Sequence, residues 1–187
     1  ALNKTRDWVL ERYLESVSYA KDHGMYVTSF FPDSTRAELG FLISLMKATV
    51  EEGHADSVTL VDTLGVTSPE AIAYLIKNVK KEIKNVVEIH CHNDYGLALA
   101  NAIAAYHAGA EVIHASVNGL GYRCGNTRLE EVAIALHILY GVNLKIKFEK
   151  LYNLCKLVEK LSRQSVGFNK PVAGEGAFLY EQAGSLK

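Results

Sequence analysis

The 187-residue sequence predicts an α/β fold on a parallel sheet. Two observations carry that prediction. Short β-branched, apolar runs alternate with longer stretches of helical period, four times in succession. The runs also recur evenly, starting at residues 25, 57, 86 and 111, so the units are 32, 29 and 25 residues long. Parallel neighbours need a crossover of a dozen or more residues, usually a helix, and every unit supplies one. Two architectures satisfy this pattern: a doubly wound open sheet, and a TIM (β/α)8 barrel, whose full form takes eight units over roughly 250 residues.

The chain opens on a helix. Val9, Tyr13, Val17 and Ala20 recur at helical spacing, and Thr5 stands where an N-cap belongs. No strand precedes it, which implies that the front of the fold lies outside this segment. "MYVTSFF" (25–31) reads as the first strand, followed by a helix over 35–52 with Thr35 and Glu38 as a capping box. "SVTLVD" (57–62) is the second strand; its helix starts at Ser68, with Pro69 in the first turn, where a missing N–H costs nothing. "VVEIHC" (86–91) is the third strand, with a helix over 97–107. "EVIHASV" (111–117) is the fourth, with a helix over 127–140 and a second capping box, Thr127 and Glu130. Phe148, Leu151, Cys155, Val158 and Leu161 mark a further helix over 147–163, and the glycine-rich tail reads as an extended connection. The expected division is an α/β body over 1–145 and an exit helix with linker over 146–187.

Composition narrows the function. With 20 basic and 21 acidic residues the net charge is −1, and nothing in that balance argues for a nucleic-acid or membrane surface as partner. No apolar run approaches the roughly 18 residues of a membrane span, and "ALNKTRDWVLERY" lacks the pattern of a signal peptide. Three cysteines, an odd number without a CxxC pair, point to a reducing cytoplasm.

Chemistry concentrates at strand ends. On a strand, residues two apart share a face, so Glu88, His90 and His92 point one way and Ile89 and Cys91 the other. Two imidazoles side by side match what a divalent metal takes from one strand; the alternative is a pair of hydrogen-bonded histidines in a polar patch. In "SVNGLGYRCGNTRLEE" (116–131), His114, Ser116 and Asn118 alternate onto one face. Gly119, Gly121 and Gly125 then allow close backbone approach to a ligand, and Asn126 stands at a helix N-terminus, where N–H groups favour an anion. Turn formation and capping account for the same residues. Asp62 and Thr63, and Asp33 and Arg36, also sit at strand ends, where capping is the plain alternative. His23, His54, His107 and His137 read as ordinary surface or helix histidines.

Three ordered motifs, "DTLGVTSPE", "HCHNDYGLALANAIAAYHAGA" and "NGLGYRCGNTRLEEVAIAL", resemble the DRE-TIM metallolyases, the metal-dependent Claisen-condensing synthases and lyases. Within that superfamily they most resemble the 2-isopropylmalate, homocitrate and citramalate synthases of leucine and lysine biosynthesis; "NKPVAGEGAF" resembles the point where those synthases leave the barrel. The resemblance implies a TIM barrel of which this chain carries the last four units. It implies a divalent metal (Mg2+, Mn2+ or Zn2+) held by His90, His92 and Asn126, with Thr63 on a bound 2-oxo acid and acetyl-CoA as co-substrate. The fourth family ligand is an aspartate on the first barrel strand. That motif is absent here, and "TRD" at 5–7 is no substitute because it opens a helix.

Ser116, Asn118 and Arg123 are further expected substrate contacts, and Glu88 and Asp94 are candidates for orienting the imidazoles. The sequence departs from the synthases at Tyr122, where they carry Glu in Gly-Glu-Arg; at the apolar "SFFP", where they often carry an inward acid; and at Tyr180, where they carry a histidine. The implied reaction is condensation of an acyl-CoA with a 2-oxo acid. The alternatives are a carbon–carbon lyase of the same superfamily and a barrel fragment inactive by itself. Unpaired strand edges predict association, as a homodimer or against an N-terminal half-barrel.

Overall fold

The two unbroken β-rich runs form the centre of the sheet in the computed structural model, which describes residues 4–179. Strands β1 (Thr28–Phe31), β2 (Ser57–Asp62), β3 (Val86–Cys91) and β4 (Val112–His114) pair in parallel in that order. The helices are α1 (Arg6–Asp22), α2 (Leu39–Glu51), α3 (Pro69–Glu82), α4 (Ala98–Ala108), α5 (Leu129–Tyr140) and α6 (Leu151–Ser162). The chain divides into two compact units, Ala1–His114, which holds the whole sheet, and Ala115–Lys187.

Alternation splits the sheet into two unlike faces. Phe31, Val58, Leu60, Val87, Ile89 and Cys91 are buried in one core with Leu42 and Met46 of α2, Ile72, Ile76 and Val79 of α3, and Ala98 and Ala105 of α4. Each fully buried aliphatic side chain contributes roughly 1.5–3 kcal/mol relative to exposure. The other face carries Thr28, Thr59, Glu88, His90 and His114. Register places Glu88 between Thr59 and Val112, and His90 between Val61 and His114. The strict alternation of residues between two faces is what strands of a barrel require, and the polar character of this second face is particular to the chain.

Side chains cap α1 and α3 at the positions where the sequence predicts those helices to begin. Thr5 caps α1 by accepting from the Trp8 N–H at 3.2 Å, and Ser68 caps α3 by accepting from the Ala71 N–H at 3.4 Å. Neither expected capping box forms. Residues Ser34–Arg36 make a 3-10 turn, and α2 begins at Leu39 with Glu38 itself as N-cap, its carboxylate accepting from the Gly40 and Phe41 N–H groups. Thr35 donates instead to Asp62 Oδ1 at 3.1 Å. At α5 the N-cap is Arg128, without a side-chain bond, and Glu130 accepts the Asn118 N–H at 3.0 Å.

Two strands are shorter than their apolar runs. β1 starts at Thr28 because its partner β2 starts at Ser57; Val27, just ahead, is tied by its N–H to Asp56 Oδ2. β4 stops at His114, so Ser116 and Asn118 do not extend its alternation. The chain turns there: Val117–Gly119 is a 3-10 turn with Asn118 in the left-handed region, φ 58. The tail up to residue 179 is turned rather than extended, with a 3-10 turn over Glu175–Phe178. Tyr180 lies outside the described residues.

Candidate functional site

Asp62, fully buried at the end of β2, organises the loop after it. Its Oδ1 accepts from Thr35 Oγ1 and the Val66 N–H, and its Oδ2 from the Thr67 N–H. Its backbone oxygen accepts from the Gly65 N–H and the His92 N–H. The same oxygen lies 3.3 Å from His92 Nδ1. A carbonyl oxygen only accepts, so this contact places the ring proton on Nδ1 and, in the neutral ring, the lone pair on Nε2. One buried carbonyl thus fixes both the backbone and the tautomer of His92. Gly65 lets the loop fit: its φ is +60, and a Cβ there would stand 2.8 Å from the Asp94 N and Oδ2. Thr63 accepts the Asp33 N–H on its Oγ1 at 2.6 Å.

His90 and His92 are neighbours, with ring centroids 5.0 Å apart. Burial, and after it the nearby His92 and His114, pushes the His90 imidazole down to about 4, so it is neutral at physiological pH. Its Nδ1 is buried with no hydrogen-bond partner. A neutral imidazole with an orphaned ring nitrogen is what a metal ligand looks like without its ion.

Glu88 does not reach toward those two rings. Its Oε2 accepts from Thr59 Oγ1 at 2.8 Å and lies 2.7 Å from His114 Nε2. Burial alone would raise its carboxyl, but contacts with Ser57, Thr59 and His114 outweigh that and hold it below its ordinary value. His114, which lies in none of the three sequence motifs, is the partner of Glu88. Its ring stands at 90° to that of His90, centroids 5.7 Å apart.

In the second unit, the glycine loop is built around Asn126. The Asn126 N–H donates to Gly119 O at 3.0 Å, and Nδ2 donates to Leu120 O at 3.2 Å. Pinning the amide nitrogen to a carbonyl fixes which end of the carboxamide is oxygen. That Oδ1 is buried and has no hydrogen-bond partner. Gly121 makes room: a Cβ on it would sit 2.6 Å from Asn126 Oδ1. Ser116 donates its hydroxyl to Leu120 O at 2.6 Å. Asn118 donates from Nδ2 to Cys155 O at 2.9 Å. Arg123 is exposed, in the left-handed region at φ 54.

Among the described residues no three His, Cys, Asp or Glu side chains group to hold a metal ion. Uncharged donors are present within each unit taken by itself: the neighbouring imidazoles of His90 and His92 in the first, and the buried Asn126 carboxamide oxygen in the second. Two of the four buried polar atoms that lack a partner among the described residues, His90 Nδ1 and Asn126 Oδ1, belong to that set. These uncharged donors are the types that divalent metals take from proteins.

A family model described as HMGL-like matches residues 1–158. Two proteins of Methanocaldococcus jannaschii are each 44% identical over 180 residues, 96% of this chain: a 2-isopropylmalate synthase and an (R)-citramalate synthase, covered over 35% and 36% of their lengths. The chain therefore spans about a third to a half of the length of the curated relatives that it matches. A crystal structure of hydroxymethylglutaryl-CoA lyase from Pseudomonas aeruginosa superposes with a TM-score of 0.76 at 23% identity, over 94% of this chain and 60% of that one. The parallel sheet with its helices is thus part of a TIM barrel, and the open-sheet alternative falls.

Proposed function

Because the chain belongs to the HMGL-like family, we propose that it forms part of an enzyme condensing an acyl-CoA, acetyl-CoA foremost, with a 2-oxo acid at a divalent metal ion. The observation that carries this reading is the His90–His92 pair, neighbouring imidazoles at the end of a barrel strand, one kept neutral by burial and the other held in one tautomer by Asp62. The barrel end at which they lie is where such folds place their chemistry. Support for the acid as substrate comes from relatives named as isopropylmalate and citramalate synthases.

His90, His92 and Asn126 are the proposed ligands. The ion would supply Lewis-acid polarisation of the keto group. The donors are uncharged, so they leave its positive charge largely uncompensated. The Asp62 carbonyl keeps the His92 ring in one orientation, and the Leu120 carbonyl, by accepting from Nδ2, fixes which end of the Asn126 carboxamide is oxygen. Thr63, held by the Asp33 N–H, presents its hydroxyl beside Asp62 for a carboxylate or keto oxygen of the acid. A base takes a proton from the acyl methyl, that carbon bonds to the keto carbon while the keto oxygen takes up a proton to become a hydroxyl, and water hydrolyses the thioester to a carboxylate and free CoA. Asp94, packed on Gly65, and Glu88, through His114, are proposed to hold this arrangement rigid.

The test is thiol release from acetyl-CoA by the full-length polypeptide, across a panel of 2-oxo acids with Mg2+ or Mn2+. Release that depends on both the acid and the ion is expected. Cleavage of a 3-hydroxyacyl thioester without any condensation would instead assign the lyase reaction.

A further inference from the structure

We infer that Phe30 forms an apolar wall at the substrate position and restricts the enzyme to 2-oxo acids with uncharged, apolar side chains. The inference rests on the proposed function and names the substrate class of that same site.

Phe30 and Phe31 are adjacent on β1 and point to opposite faces. Phe31 is a core residue, 2% exposed and stacked on Tyr13 with centroids 5.1 Å apart. Phe30 lies on the polar face and stays 43% exposed. Its ring meets two imidazoles there, His114 at 5.1 Å and His90 at 6.3 Å between centroids. A molecule recruited to His90 therefore has the Phe30 ring for a neighbour.

The charges on that face point the same way. The strand residues around Phe30, namely Thr28, Thr59, Glu88, His90 and His114, include one carboxylate and no lysine or arginine, and Arg12 of α1, which lines a cavity with Thr28 and Phe30, is engaged by Glu11 and Glu15. Arg36, which follows β1, is already engaged by both oxygens of Asp33, at 2.8 and 2.6 Å. A second carboxylate placed against Phe30 would lose its hydration to an aromatic ring and gain no cation from the strand residues beside it. A methyl or isopropyl group loses nothing there and buries apolar area. If Phe30 served only to pack the two histidine rings, its loss would weaken all acids alike.

The experiment compares pyruvate, 2-oxoisovalerate and 2-oxoglutarate with the full-length polypeptide, by kcat/KM and, separately, by calorimetric binding without acyl-CoA. The parent should prefer one of the two apolar acids over 2-oxoglutarate by about 100-fold. Phe30→Ala should lower kcat/KM and affinity for 2-oxoisovalerate by about tenfold, the scale of a lost apolar contact, with a smaller effect on pyruvate. Phe30→Leu, which keeps apolar volume and packs with less risk to folding, should retain the parent's order. Phe30→Arg should raise 2-oxoglutarate relative to the apolar acids. A parent that prefers 2-oxoglutarate, or an order of acids unchanged in the Ala and Arg variants, overturns the role of Phe30 while leaving the condensation intact. A parent that binds no acid and releases no CoA overturns the condensation itself and this inference with it.

Discussion

Replacing Gly121 with alanine isolates the proposed metal ligand Asn126 without touching it. The Gly121 backbone is not in the left-handed region, so alanine brings no backbone strain. Its Cβ, however, would lie 2.6 Å from Asn126 Oδ1 and 2.7 Å from Cγ and Nδ2. Ordinary contact begins near 3.4 Å. The carboxamide must therefore move by close to an ångström, breaking its bond to the Leu120 carbonyl. Overpacking of this kind costs roughly 1–3 kcal/mol, at the low end here because only a side-chain tip has to move. Displacing a ligand by that much costs far more in function, on the order of 100-fold. We expect Gly121→Ala to fold, with a urea midpoint close to the parent's, while Mn2+ affinity and acid-dependent CoA release both fall by that order. Gly125→Ala is the contrasting control: at φ +89, with its Cβ driven onto the Gly119 carbonyl, it should disrupt the loop itself. If Gly121→Ala binds Mn2+ as tightly as the parent, the assignment of Asn126 is refuted.

Three further outcomes follow from the geometry. Glu88→Ala leaves Thr59 and His114 without their acceptor in a buried layer and should cost about 1–3 kcal/mol of unfolding free energy, with Glu88→Gln recovering part of it. Asp56 is held below its ordinary value of 3.8, first by Lys21 and next by the Val27 N–H, so its contribution is complete above that pH and is lost as pH falls below it; acid titration of Asp56→Asn should show a shallower loss of stability on that limb. In the folded chain, thiol reagents should label Cys124, which is exposed, well ahead of Cys91 and Cys155. Both of the latter are buried, and burial, with Glu130 beside it, pushes the Cys155 thiol up to about 12. Equal labelling rates for the three would contradict that burial.

What could be read from sequence depended on how local its cause was. β2 and β3 coincide with the runs at 57–62 and 86–91, because an unbroken β-branched run buried on both faces has no competing pattern. The β3 alternation likewise placed Glu88, His90 and His92 on one face. β4 stops at His114 although the apolar run continues to 117, since nothing in "ASVNG" announces that Asn118 takes a positive φ and closes a turn. The capping boxes failed for a reason outside their four residues: Thr35 found Asp62 on β2, and Glu130 found the Asn118 N–H twelve positions earlier. Cross-strand register was hidden in the same way. Only the pairing of His90 with His114 shows why Glu88 supports His114 instead of a proposed ligand.

The central claim, that His90, His92 and Asn126 together hold one divalent ion, is most directly tested by crystallising the full-length polypeptide with Mn2+ and recording anomalous scattering at the manganese edge. The account predicts one strong peak bonded to a nitrogen of each imidazole and to Asn126 Oδ1. A peak bonded elsewhere, or these three side chains directed to separate places around no common ion, would contradict it.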